Sequence, residues 1–299
     1  MTALLIDTDP GIDDALALLY AWGSADAAVE AVTTVAGNVP VDCGTTNVFR
    51  LLALRRPARF PIVAVGAPEP LARPLETAAR YHGTDGLGDL DDWPPVDGRP
   101  AREPAVDVIV GTARRLGPRL VLVALGPLTN LALAVAANRP AIAGVGRVVA
   151  MGGAVDVPGN VTPEAEFNMH VDPEAAACVI GAGLPLDLVP LDATQQTRFE
   201  RHELEDALAG RPALLATRIL AFTRRAFRLA GGAMHLHDPL AVAVALDPTL
   251  VEWEMTRLQV GSDGATRRMP GPPNCRVARC VDRARFVATL LERLCPEFS

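Results

Sequence analysis

The chain has 299 residues, 49% hydrophobic and 21% charged, which is enough to bury a large core and too apolar for a disordered segment. Its formal net charge is −7, with acids and bases spread along its length and no basic stripe interleaved with aromatics, which argues against a nucleic-acid partner. All 28 basic residues are arginine, and the absence of lysine excludes a Schiff-base lysine and a Walker-type phosphate loop.

In chain order, "ALLIDTD", "EAVTTVAG", "PIVAVG", "LVLVALG", "RVVAMGG" and "LPLDLVPLD" read as short apolar strands. Between them lie the helical patterns "DDALALLYAW", "CGTTNVFRLLAL", "AVDVIVGTARRL" and "LTNLALAVAAN". Near-continuous apolar strands alternating with amphipathic helices predict an α/β fold, a mainly parallel open sheet flanked by helices. No linker or internal repeat divides the chain, so residues 1–299 read as a single domain, with two helical patterns in residues 195–233 forming a cap over the site. Cys43, Cys178, Cys275, Cys280 and Cys295 are scattered without a CxxC pair, which suggests neither a disulfide framework nor a zinc knuckle. The N-terminus shows no leader-like pattern, and the apolar stretch 120–155 is broken by Gly, Pro, Asn and Arg. A cytoplasmic protein with no membrane span is expected.

Polar residues gather at the carboxyl ends of the strands, the edge where open parallel sheets bind ligands. The densest group is "DTDPGIDD", which places Asp7, Asp9, Asp13 and Asp14 where the first strand hands over to a helix. Crowded carboxylates repel one another unless a cation or a set of donors offsets them, and hard cations such as calcium or magnesium take oxygen ligands. Asp13 and Asp14 point about 100° apart on a helix, so one can meet a metal while the other faces a ligand. Asp7 shares strand parity with Asp9 and is placed to support it. Further along, "HLHDPLAV" offers Asp238 as either a helix cap or a ligand. "GNVTPEAEFNMH" sets Asn160, Glu166 and Asn168 in a loop whose amides and carboxylate suit sugar hydroxyls.

Together these segments resemble the inosine-uridine preferring nucleoside hydrolase family across nearly the whole chain. "DTDPGIDDALALL", "VAGN" (35–38), "YHGTDGLG" (81–88), "LGPLTNLA" (125–132), "MGGA" (151–154), "EFN" (166–168) and "HDPLAV" (237–242) follow in family order. The resemblance implies Ca²⁺-dependent hydrolysis of the N-glycosidic bond of ribonucleosides, giving ribose and free base by attack of a metal-bound water. By the same resemblance, Asp9, Asp14, Asp238 and the backbone carbonyl of Leu125 hold Ca²⁺, and Asp9 takes the proton from water. Asp13 meets the 2′-hydroxyl, Asn168 the 3′-hydroxyl, and Asn160 with Glu166 the 5′-hydroxyl, while Asn38 and Met151 line the ribose pocket. His237 matches a residue that protonates a departing purine, and His82 one that lies near the base. His235 is read as a neighbour without a role. A homodimer or homotetramer acting on a nucleoside, with no nucleic-acid or membrane partner, is implied.

Two departures from the family bear on the base. "FTRRAFRLAGG" lacks the tyrosines that often cover it, offering Phe222 and Phe227 instead, with Arg224 and Arg225 where hydroxyl or amide contacts are expected. The chain also runs directly from "GATRRM" to "PGPPNCRVARCVD", an apparent deletion near residues 268–271 that either opens the base pocket or shortens a surface hairpin. Two other classes share parts of the pattern. A nonenzymatic nucleoside- or ribose-binding protein needs the same hydroxyl contacts but no base beside a metal. A Mg²⁺-dependent haloacid dehalogenase-like phosphatase shares the DxD but needs Thr or Val where Gly11 stands, and a lysine that this chain lacks.

Overall fold

The computed structural model describes residues 1–211 and 213–294; Cys295 lies outside them. Six strands arrive in the predicted order: β1 (Thr2–Thr8), β2 (Ala27–Thr34), β3 (Ile62–Val65), β4 (Leu120–Ala124), β5 (Arg147–Met151) and β6 (Leu186–Val189). Later in the chain come a short antiparallel ribbon, β7 (Arg198–Glu200) with β8 (Ala233–His235), and then β9 (Val251–Thr256), β10 (Leu258–Val260), β11 (Thr266–Arg268) and β12 (Cys275–Val281). The main sheet has the order β3-β2-β1-β4-β5-β6-β12-β9, parallel throughout except for the antiparallel edge strand β9. This is the α/β architecture the sequence predicts, in a single domain.

Each central strand is apolar on both sides because each side has its own core. Leu4 and Ile6 of β1 face one core, shared with the helices Ile12–Gly23, His237–Leu246 and Arg283–Leu294. Leu5 faces the other, beneath the helices Ala105–Leu116, Thr129–Ala143 and Pro173–Gly181. Helices on both faces bury the sheet, and burial on both sides selects continuous rather than alternating apolar runs. The helix Ala213–Leu229 joins the first core through Leu215, Ile219, Phe222 and Ala226, a stripe at helical spacing. No helix among the described residues is long and apolar enough to cross a membrane.

The strand order reverses between β1 and β4, since the chain winds outward through β2 and β3 and then restarts on the other side. At such a switch point the loops leaving the two strands diverge and open a crevice beyond their carboxyl ends. The loop after β1 carries Asp9 and the loop after β4 begins at Leu125, whose N–H donates to the Asp7 carbonyl at 2.8 Å. The topology therefore brings the aspartate motif and the Leu125 loop to one place.

Candidate active site

The short "DPG" turn carries the chain from β1 into the helix Ile12–Gly23. Asp14 stabilises this turn, accepting from the Gly11 N–H at 2.9 Å through Oδ2, while its Oδ1 accepts from the Thr8 hydroxyl. Asn38, arriving after β2, donates its backbone N–H to Asp9 Oδ2 at 2.6 Å and its side-chain amide to Asp14 Oδ2 at 3.0 Å. Asn38 thus holds two carboxylates as well as lining the cavity above them. Asp7 points elsewhere: its Oδ1 accepts from Thr33 and Asn130, so it braces β1 against β2 and the Leu125 loop rather than contacting Asp9.

Asp9, Asp13, Asp14 and Asp238 are all buried. Burial first, then the charge of Asp14, pushes the Asp13 carboxyl up to about 7. Burial and the neighbouring carboxylates hold Asp9 and Asp238 well above the usual carboxylate range. Oxygens of Asp13, Asp14 and Asp238 lie within 4.8 Å of one another. Asp9 stands outside that tight trio yet feels the charge of both Asp13 and Asp14, and its own charge acts on Asp238.

These residues fit a hard cation. Every donor is an oxygen, and Asp9 Oδ1 is buried with no hydrogen-bond partner among the described residues. Two glycines make a cradle around that carboxylate. A Cβ on Gly37 would lie 2.1 Å from Asp9 Oδ2, and one on Gly126 would lie 2.5 Å from Oδ1. An uncompensated, unpartnered carboxylate oxygen is costly in a protein interior, and a divalent ion removes the cost.

Above the carboxylates opens a cavity of about 380 Å³. Asp13, Asp238 and Leu125 contribute to its wall on the acidic side. Asn160, Glu166, Asn168 and Met151 line it together, although they come from a strand end and a long loop. Glu166 caps the one-turn helix Phe167–Val171, accepting from Asn168 N–H at 2.9 Å and Met169 N–H at 3.2 Å, and from Gly153 N–H at 2.9 Å. Asn160 accepts from the Phe167 N–H, leaving its amide nitrogen as a donor. The Asn168 amide donates to the carbonyls of Leu125 at 2.6 Å and Met151 at 3.2 Å.

Imidazoles also line the cavity. His82 Nδ1 accepts the Ile12 N–H at 3.0 Å, which leaves its proton on Nε2, and burial pushes its pKa down to about 4. His237 Nδ1 pairs with the Thr194 hydroxyl at 2.7 Å, and burial pushes its pKa down to about 3. Both rings are neutral at pH 7. His235, which the sequence offers no reason to include, lines the same cavity with its ring 5.8 Å from that of His237. Tyr81, Ala230 and Phe167 are further wall residues missed by sequence reasoning; Tyr81 stands inside "YHGTDGLG" and Phe167 inside "EFN", and those segments were the available signals.

Two expectations for the base side are corrected. Phe222 and Phe227 do not cover the cavity: they are buried in the core, with Phe227 against Phe199. Arg224 and Arg225 do not line it either. Arg224 borders a separate surface hollow with Arg201 and Arg228, and Arg225 is spent on the loop that carries His82. The apparent deletion falls in the connection from β11 to β12, and no described residue there lines the cavity. Arg268, at the end of β11 where that connection begins, pairs with Asp156 and Glu254.

Comparison with known proteins agrees with this geometry. The profile of the inosine-uridine preferring nucleoside hydrolases matches residues 4–288. A pyrimidine-specific ribonucleoside hydrolase, RihA, of Shewanella sp. (strain ANA-3) is 36% identical over 306 residues, covering 97% of this chain and 95% of that protein. Among solved structures, a plant nucleoside hydrolase, PpNRh1, superposes with a TM-score of 0.91 at 33% identity, covering 99% of both chains. A purine-preferring ribonucleoside hydrolase from Gardnerella vaginalis gives 0.90 at 31% identity, covering 98% of each. A match of this extent sets aside both the phosphatase and the nonenzymatic binder. The chain belongs to the inosine-uridine preferring nucleoside hydrolase family and is a ribonucleoside hydrolase.

Proposed function

We propose that the chain cleaves the N-glycosidic bond of ribonucleosides with water, using Ca²⁺ held by Asp9, Asp14, Asp238 and the Leu125 carbonyl. The observation that carries this reading is one cavity with buried carboxylates on one side, amides around it and neutral imidazoles beyond. When bound, the ion supplies Lewis-acid polarisation of oxygen and offsets the buried carboxylates. Asp13 accepts from the 2′-hydroxyl, Asn168 holds the 3′-hydroxyl, and Asn160 with Glu166 holds the 5′-hydroxyl. Asn38 and Met151 complete the ribose pocket. Ribosyl transfer builds positive charge on the sugar, and the anionic side of the cavity stabilises that charge. Asp9, with one free oxygen, takes the proton from the attacking water.

The decisive experiment is incubation with inosine, uridine, cytidine and p-nitrophenyl phosphate, with and without a chelator. Release of free base that chelation abolishes and Ca²⁺ restores is expected, with no phosphate release. Chelator-resistant hydrolysis would remove Ca²⁺ from the scheme. Ligand deprotonation ties ion binding to pH, because protons compete for carboxylates whose pKa values are raised. The rise in Tm on adding Ca²⁺ should therefore be larger at pH 8 than at pH 5.5. At 100 times Kd it corresponds to about 2.7 kcal/mol.

His237 faces the leaving group as a neutral ring, and it acts by donating a hydrogen bond to the departing base rather than as a stored imidazolium. His237→Ala should lower kcat on inosine, by about 10²-fold for a lost hydrogen bond to the developing charge on the base, more than it changes KM. Steady-state kinetics on inosine, uridine and cytidine check this. Equal and small losses on all three would remove His237 from base handling. The relatives include both pyrimidine-specific and purine-preferring enzymes, so these same kinetics also set this chain's base preference.

A further inference from the structure

His82 and Tyr81 sit on a helix of only four residues, Ala79–His82. One turn does not hold itself together in water, and its final carbonyls have no donors within the helix. Here each of those carbonyls is accounted for. Ala79 accepts from the Gly83 N–H at 2.9 Å, and His82 from the Gly88 N–H at 2.8 Å. The remaining two, Arg80 and Tyr81, are taken by one guanidinium: Arg225 Nη2 donates to Arg80 at 3.0 Å and Nε to Tyr81 at 3.2 Å. Its Nη1 donates to Asp89 Oδ2 at 2.9 Å. Asp89 Oδ1 in turn accepts from the N–H and hydroxyl of Thr84, so the same guanidinium also ties down the loop beyond His82. One turn earlier on the arginine's helix, a Cβ on Gly88 would lie 2.7 Å from the Phe222 carbonyl, so loop and helix meet backbone to backbone.

We propose that Arg225 is a positioning residue for the base side of the active site, capping the helix turn that presents Tyr81 and His82 to the cavity. The proposal rests on the reading of His82 as a base-side residue. The His82 ring is held at Nδ1 by the first N–H of the helix Ile12–Gly23, and the two carbonyls just before it, those of Arg80 and Tyr81, are held by Arg225. The aspartate motif and the helix Ala213–Leu229 therefore grip this histidine from two directions. Tyr81 stands edge-on to it at 5.0 Å between ring centres, so displacing one displaces both. Lysine cannot replace the arginine, because three acceptors in different directions need a planar fork of donors.

The test compares Arg225→Ala and Arg225→Lys with the unaltered enzyme, all with Ca²⁺ present, on uridine, inosine and p-nitrophenyl β-D-ribofuranoside. The last carries the same sugar but a leaving group that needs no help. Both variants should lose about 10- to 100-fold in kcat/KM on the nucleosides, while p-nitrophenyl riboside changes less than about threefold. Arg225→Ala should cost far less in a His82→Ala background than alone, leaving only what acts through Tyr81. Equal losses on all three substrates, or losses that add in the double variant, would reduce Arg225 to a general support of the fold and overturn the proposal, as would full activity. If the unaltered enzyme cleaves neither kind of substrate, the hydrolase reading fails instead. Amide hydrogen exchange then decides Arg225 separately: Arg225→Ala must speed exchange at Gly83 and Gly88 and leave β1 unchanged. Unchanged exchange at those glycines overturns the proposal.

Discussion

Asp9→Asn should fold, lose Ca²⁺ affinity and lose turnover. Asparagine keeps the shape that Gly37 and Gly126 make room for, so the cradle is undisturbed while the charge is lost and an NH₂ replaces one carboxylate oxygen. The unpartnered Oδ1 is the oxygen available both to an ion and to a proton from water. Loss of a general base alone costs about 10²–10⁴ in rate, and weakened metal binding adds to that. Without metal, the same variant should be more stable than the original chain, because it removes one of four buried, mutually repelling carboxylates. Asp13→Asn is the control. It should keep the ion and lose the 2′-hydroxyl contact, although Asp13 belongs to the tightest trio of carboxylates and Asp9 does not. Calorimetric titration of Ca²⁺ into both variants separates the two ligand sets. If Asp13→Asn abolishes binding and Asp9→Asn spares it, the ion lies in the trio of Asp13, Asp14 and Asp238, and the assignment given to Asp9 is wrong.

The first six strands were legible because most of them, β1 and β4 to β6 above all, are buried on both faces, which writes a continuous apolar run into the sequence. The later strands were not. β10 and β11 are three residues each, and β9 exposes much of its length at the sheet edge, so neither carries such a run. Asp9, Asp13 and Asp14 were legible as a cluster because like charges beside a strand end demand an explanation. Their companions Asn38, Leu125 and Asn168 were not, since an amide or a backbone carbonyl has no sequence signature of its own. The polar loop around Asn168 hinted at sugar contacts, but the individual roles of all three came from the resemblance to the family.

The errors fall on the helix Ala213–Leu229, where aromatic residues were offered to the ligand. Phe222 stands at helical spacing from Leu215 and Ile219, and that spacing marks it for the core. The period was present, and composition outweighed it. Arg225 shows the opposite limit. Its three acceptors come from residues more than a hundred positions earlier, so no local pattern could announce them.

Asn168→Ala should keep Ca²⁺ and lose about 10²–10³ in kcat/KM, or about 2–4 kcal/mol of transition-state stabilisation. Asn168 is fixed from several sides: its backbone N–H reaches Glu166, and its amide nitrogen reaches the Leu125 and Met151 carbonyls. Those bonds settle which way the amide faces, since its NH₂ must point toward the carbonyls. Its oxygen is then the group left to accept from a sugar hydroxyl. Removing the side chain leaves the Leu125 carbonyl in place, and an ion bound there loses a competitor for the oxygen rather than a ligand. Ca²⁺ affinity should hold or rise, while the sugar contact disappears. A nucleoside lacking its 3′-hydroxyl makes the assignment specific. The unaltered enzyme should lose about as much on that substrate as Asn168→Ala loses on the normal one. The variant itself should then barely distinguish the two, because the interaction is already gone. A variant that still discriminates by the full factor would show that another residue holds the 3′-hydroxyl, and that Asn168 serves only to orient the two carbonyls beneath it.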